Sequence, residues 1–164
     1  MKINPAPRLR SKPLKPLLAA TSLYAGLALH AAPPLSHDAL PGGGDVAAGN
    51  AAITVEGSHM EIDQHSDRSI LNWQDFNIGR DAAVNFDQPG LNSVALNRVL
   101  GSDPSQIFGN LSANGQVFLI NPGGVIFGQG SRVDTGGLVA TTMSLSDEDF
   151  LAGDFDFFAN GSSA

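Results

Sequence analysis

Gln116-Val117-Phe118-Leu119-Ile120-Asn121-Pro122-Gly123-Gly124-Val125-Ile126-Phe127-Gly128 is the stretch whose reading decides the fold. An apolar strand enters a rigid Asn-Pro-Gly-Gly corner and leaves it at once as a second apolar strand. Proline fixes φ and cannot donate to a ladder, while the glycines accept positive φ without a side-chain penalty. A hairpin with one wet face would alternate apolar and polar residues, and Val117 to Ile120 does not. Short apolar strands joined by tight corners suit consecutive sides of a coil around a dry interior.

The rest of the chain has the same texture from Ala51 onward. Apolar runs at Ala52–Val55, Ile70–Ile78, Ala82–Phe86, Val94–Leu100, Gln116–Ile120, Val125–Phe127 and Leu138–Met143 are separated by Gly, Asn, Asp and Ser. Each has the length of a strand, and none carries a helical period. Two short helical turns are expected. One follows Ser146, which precedes the acidic Asp147-Glu148-Asp149, with Gly153 to end it. The other spans Asp103 to Gly109, with Pro104 at the first helical position. Residues 33–50, rich in Pro and Gly, read as a linker with little to bury. A sandwich, a barrel and a solenoid all remain open. Asn72, Asn77, Asn85, Asn97 and Asn121, set in or beside apolar runs, favour the bends of a solenoid. No strict repeat supports it.

Charge is segregated. The 164 residues are 42 % apolar and only 15 % charged. Lys2, Arg8, Arg10, Lys12 and Lys15 precede an apolar segment, Leu17 to Leu29, and small residues at Ala28, Ala31 and Ala32. That order reads as an export signal over residues 1–32, since the apolar segment is too short to span a bilayer; a membrane anchor is the alternative. After Lys15 there are four arginines, no lysine and sixteen acids, a formal −12. Such a body lacks the basic face that nucleic acid or anionic lipid requires. With no cysteine, an exported chain must hold itself by packing and hydrogen bonds.

Candidate chemistry is sparse. His59, Glu61, Asp63 and His65 alternate along one strand and would share a face. Successive members lie about 7 Å apart, too far to share one ion comfortably, so a solvated face is the plainer reading. Asp147, Glu148, Asp149, Asp154 and Asp156 form no calcium loop; the first three suit a helix N-terminus. His30 and His37 fall in the signal and linker, and no nucleophile elbow accompanies His59 or His65. Neither a catalytic residue, a metal nor a cofactor is expected. Trp73 and Phe76 read as core.

Several of these stretches, in this order, resemble the N-terminal secretion domain of two-partner-secretion exoproteins, the filamentous-haemagglutinin-like family. They are Asn72 to Gly79, Val84 to Pro89, Ser93 to Val99, Ala113 to Val117, Asn121 to Val125 and Val133 to Ala140. The resemblance covers roughly residues 49–158 and departs at Gly123, where the family commonly has asparagine. It implies a right-handed parallel β-helix with extra β-hairpins and an N-terminal cap over residues 51–164, with further coils expected downstream. It implies a secretion-targeting, fold-nucleating module recognised by periplasmic domains of an outer-membrane barrel transporter. The product would be secreted or held at the cell surface, with any host-cell or haem-protein ligand bound by a downstream passenger. Asn97, Arg98, Asn121, Pro122, Gly123 and Gly124 are the residues to which recognition and stability would fall. The structural alternative is that Asn121 caps a bend and that Arg98 satisfies buried carbonyls or pairs with an acid. Two other functions compete: a direct adhesin or haem-acquisition module, and a polysaccharide-active β-helix enzyme. The second is weakened by the lack of lysine.

Overall fold

In the computed structural model, residues 34–159 are described; the expected export signal lies outside them. Ten strands and one short helix follow in chain order. The strands are β1 (Asp45–Ala48), β2 (Ala51–Glu56), β3 (His59–Gln64), β4 (Arg68–Trp73), β5 (Ala83–Asp87), β6 (Val94–Val99), β7 (Ser105–Ile107), β8 (Asn110–Ile120), β9 (Val125–Phe127) and β10 (Arg132–Thr141); α1 spans Asp147–Ala152.

From β3 onward the ladder pairing is parallel and winds through three faces. On the first, His59 lies beside Ala83, Ala83 beside Asn110, and Asn110 beside Arg132. On the second, Arg68 lies beside Val94, Val94 beside Gln116, and Gln116 beside Gly137. The third carries β7 beside β9, begun by a parallel bridge between Ile78 and Ile107. β8 and β10 each run across the corner from the first face to the second. This is a parallel β-helix. The spacing between stacked residues changes from coil to coil, which is why the sequence shows no strict repeat.

Alternation sorts the side chains. Met60, Ile62, Val84, Phe86 and Leu111 point inward from the first face; Leu71, Trp73, Ala95, Val99, Val117 and Leu119 do so from the second. Trp73 and Phe76 are fully buried and meet edge to face at 5.5 Å. The second face is buried on its outer side as well. Ile70, Val94, Leu96, Phe118 and Ile120 pack there against Leu145 and Phe150. A sheet covered on both faces has no use for polar alternation, which accounts for the unbroken Val117 to Ile120.

At the start of the coil, β1 pairs antiparallel with β4 and β2 forms an antiparallel hairpin with β3. These are the cap and the extra hairpin. The stretch read as a linker is therefore partly structural: β1 lies within residues 33–50, and Leu40 and Val46 pack against the core. Backbone bonds from Gly79 to the Ala39 carbonyl and from Asp81 to the His37 carbonyl, both 2.8 Å, fasten its beginning.

One helical turn is corrected. Ser105–Ile107 is a strand, not a turn of helix after Pro104. Pairing with β9 and burial of Ser105 and Ile107 outweigh a local preference worth only a few tenths of a kcal/mol per residue. The other expected turn is present. Ser146 caps α1 by accepting from the Asp149 amide at 3.1 Å, and Gly153 ends it.

Candidate functional site

The Asn121–Gly124 corner joins the second face to the third. Its shape follows from the residue types. The Gly124 amide donates to the Asn121 carbonyl at 2.9 Å, closing a turn with Pro122 at its second position. Gly124 has φ 99°, a left-handed value that costs an L side chain about 1–2 kcal/mol. Asn121 is fully buried and uses its whole amide. Its Nδ2 donates to the Asp103 carbonyl at 3.0 Å and the Ser105 hydroxyl at 2.9 Å, while its Oδ1 accepts from the Gly123 amide at 2.8 Å. One side chain thus holds its own turn and ties it to the start of β7 in the coil below. Pro122 and Gly123 are exposed. A Cβ on Gly123 would stand 2.5 Å from the Ser102 carbonyl oxygen. The Ser102–Asp103 loop thus approaches too closely for a side chain at Gly123 without a shift of the backbone.

Asn97 stands apart from that corner, inside the coil. It occupies an inward position between Leu71 below and Leu119 above and is fully buried. A buried amide must be satisfied or it destabilises the core. Its Oδ1 accepts the Trp73 indole N–H at 2.9 Å, and its Nδ2 donates to the Ala95 and Phe118 carbonyls at 3.2 and 3.4 Å.

Arg98, the next residue, faces the opposite way. Its guanidinium donates to the Leu145 carbonyl at 2.9 Å and meets Asp147 at 2.7 Å. Both alternatives raised for it, a carbonyl and an acid, are realised at once. Arg68 reaches the Leu151 carbonyl at 3.4 Å from the coil below. These two arginines fasten the α1 segment over the apolar outer side of the second face. The kind of partner for Arg98 was foreseeable but its place was not, because Leu145 and Leu151 lie 47 and 83 residues downstream of the arginines they meet.

The corner between the first and second faces is held by glutamines that sequence reading did not single out. Gln88 donates to the Gln64 Oε1 at 3.1 Å and accepts from the Gly115 amide at 3.0 Å; both side chains are buried. A stacked amide ladder of this kind fixes the register of successive coils.

On the outer side of the first face, His59, Glu61, Asp63 and His65 are exposed. Glu61 accepts from Asn85 at 2.7 Å, and Asn85 in turn accepts from Ser112 at 2.7 Å. No group of three or more His, Asp or Glu that could hold a metal occurs among the described residues. What the geometry can do is mechanical: it sets bends, stacks coils and presents sheet edges.

A family model described as a TPS secretion domain matches residues 38–163. A heme/hemopexin-binding protein of Haemophilus influenzae strain Rd is 47 % identical over 106 residues, covering 65 % of this chain and 12 % of that protein. A second heme/hemopexin-binding protein of Haemophilus influenzae is 46 % identical over 96 residues, covering 57 % of this chain and 10 % of its own length. The crystal structure of the HMW1 secretion domain from Haemophilus influenzae superposes with a TM-score of 0.71 at 39 % identity, over 76 % of this chain and 33 % of that one. The chain thus spans only a small part of the curated relatives that it matches.

Proposed function

The chain belongs to the family of TPS (two-partner-secretion) secretion domains, and from that premise we propose how its parts divide the work of export. Domains of this family direct exoproteins to the outer-membrane transporter of their two-partner system, and so to the cell surface or beyond. The observation that carries the reading is that the family match, residues 38–163, spans every strand and α1.

In our reading the named residues serve the coil first and the transporter second. Asn97 and Asn121 are fully buried, so neither touches a partner of the folded domain. Their amides make each coil a template for the next, and completed coils pull the following chain outward. Contact with the transporter's periplasmic domains falls to what the fold leaves outside: the exposed Pro122 and Gly123 of the corner and the unpaired edges of the end strands, by strand addition. Such a role needs no catalytic group and no cofactor. Binding of haem or hemopexin is named for relatives of which this chain spans 12 % or less, and stays with them.

The test is export from cells that carry the cognate transporter. Asn121→Ala and Asn97→Ala lower the amount of chain reaching the medium, with the remainder left in the periplasm. Secretion of both variants at the level of the unaltered chain contradicts this division of roles.

A further inference from the structure

The large sheet begins at β1 and ends at β2, and the two strands present different edges. β1 carries a bulge between Val46 and Ala48, which spoils its edge for further pairing. β2 carries none. Its six residues, Ala51–Glu56, run in unbroken register along β3 and include neither proline nor lysine. Among the described residues no strand lies beside its other edge. On the first face β2 and β10 are opposite edges, so chain that continues the coil past β10 does not add at β2.

Two backbone bonds fix which groups that edge offers. The His65 amide donates to the Asn50 carbonyl at 2.8 Å, and the Ala83 amide donates to the Ser58 carbonyl at 2.9 Å. By alternation His59, Glu61 and Asp63 turn their backbone groups toward β2, and Met60 and Ile62 toward β5. Glu56, Thr54 and Ala52 are their partners, which leaves the N–H and C=O groups of Ala51, Ile53 and Val55 on the free edge.

Side chains divide the edge as well. Ala51 and Ile53 pack against the core, and Val55, opposite the buried Met60, shares their side yet is 53 % exposed. Ala52, Thr54 and Glu56 point outward and are exposed. That outward side is acidic: Asp63 stands opposite Ala52, Glu61 opposite Thr54, and Glu56 closes the strand. Neither β2 nor β3 contains a lysine or an arginine.

We propose that β2 receives one strand of the transporter's periplasmic domains, edge to edge, and that this strand carries Lys or Arg on its outward side; the proposal rests on the export reading above. The added strand bonds to Ala51, Ile53 and Val55, and an apolar residue on its inward side covers Val55. Neighbouring strands lie about 4.8 Å apart, so the β3 acids stand about 10 Å from the added strand. A Lys or Arg stem closes that gap over residues as short as Ala52 and Thr54. A second copy of this chain is the wrong occupant, because pairing β2 with β2 brings two acidic rows together on one side.

Titration of the full chain with the purified periplasmic domains of the cognate transporter, read by amide exchange, tests this. In the free chain the Ala51, Ile53 and Val55 amides exchange fast and those of Ala52 and Thr54 slowly; binding slows the first three. Val55→Pro removes one outward N–H without touching the bonds to β3, and it weakens binding by about tenfold or more with far-UV circular dichroism unchanged. Glu61→Gln combined with Asp63→Asn changes only exposed side chains. It lowers affinity about threefold and flattens its dependence on salt. Binding of both variants at the unaltered level, with export still dependent on the transporter, overturns the assignment to β2 and leaves the export reading standing. Slow exchange of Ala51, Ile53 and Val55 in the free chain also overturns it, since the edge is then already occupied. An unaltered chain that does not bind, and is released equally without the transporter, overturns both.

Discussion

The first and second faces of the coil are built from the same strands' worth of backbone, yet their sequences differ because their outer sides meet different surroundings. On the first face, β3 alternates strictly between exposed and buried residues, and Glu61, Asn85 and Ser112 form a hydrogen-bonded row in water. On the second face, β6 is buried at every position except Arg98, because α1 and the aromatic residues after it cover the outside. Phe118 alone meets three rings there, those of Phe150, Phe155 and Phe157, at 6.3, 5.0 and 5.9 Å. The lesson is that one chain segment, 144–158, changes what an entire sheet face must be made of.

The comparison breaks most readily at Phe118. Phe118→Ala empties the outer cluster of the second face and is expected to cost about 3–5 kcal/mol, read from urea unfolding. A loss within the range of a surface substitution would mean that α1 does not cover this face in solution. Asn97→Ala comes next. It leaves the Trp73 indole N–H buried without its acceptor, which costs about 1–3 kcal/mol, and red-shifted, less protected tryptophan emission would accompany the lower unfolding midpoint. Arg98→Ala removes the bonds to Leu145 and Asp147. Because the pair is partly exposed, roughly 1 kcal/mol is expected, seen chiefly as faster amide exchange and proteolysis in residues 145–153 with the coils still protected. The smallest effect belongs to the first face. Asn85→Ala breaks the solvated row and should shift stability by no more than about 0.5 kcal/mol; a loss as large as that at Asn97 would erase the distinction between the faces.

Much of this was legible in the sequence. The unbroken Val117 to Ile120 run marks a strand buried on both sides, and Asn121-Pro122-Gly123-Gly124 marks its corner. Ser146 before three acids marks α1. The strand β7 was not legible, because Asp103-Pro104-Ser105 has the chemistry of a helix start and its strand state depends on β9, whose Val125 pairs with Ser105 from 20 residues later. Nor was β1, hidden among Pro and Gly and fixed by pairing with β4. For the candidate site, the residue types were visible but their directions were not. Asn97 and Arg98 are neighbours in sequence, and only the register of β6 sends the amide into the core and the guanidinium out to α1. The Gln64–Gln88 ladder escaped notice for a related reason: isolated glutamines carry no signal until the coils stack them.

Everything about function depends on this chain being passed outward by a partner in the outer membrane. The most direct measurement is to express the unaltered chain with and without its cognate transporter and to quantify it in the medium and in the periplasm. The account predicts that the chain reaches the medium only when the transporter is present, folded and resistant to protease over residues 38–158. Retention in the periplasm despite the transporter, or release in equal amounts without it, would contradict it.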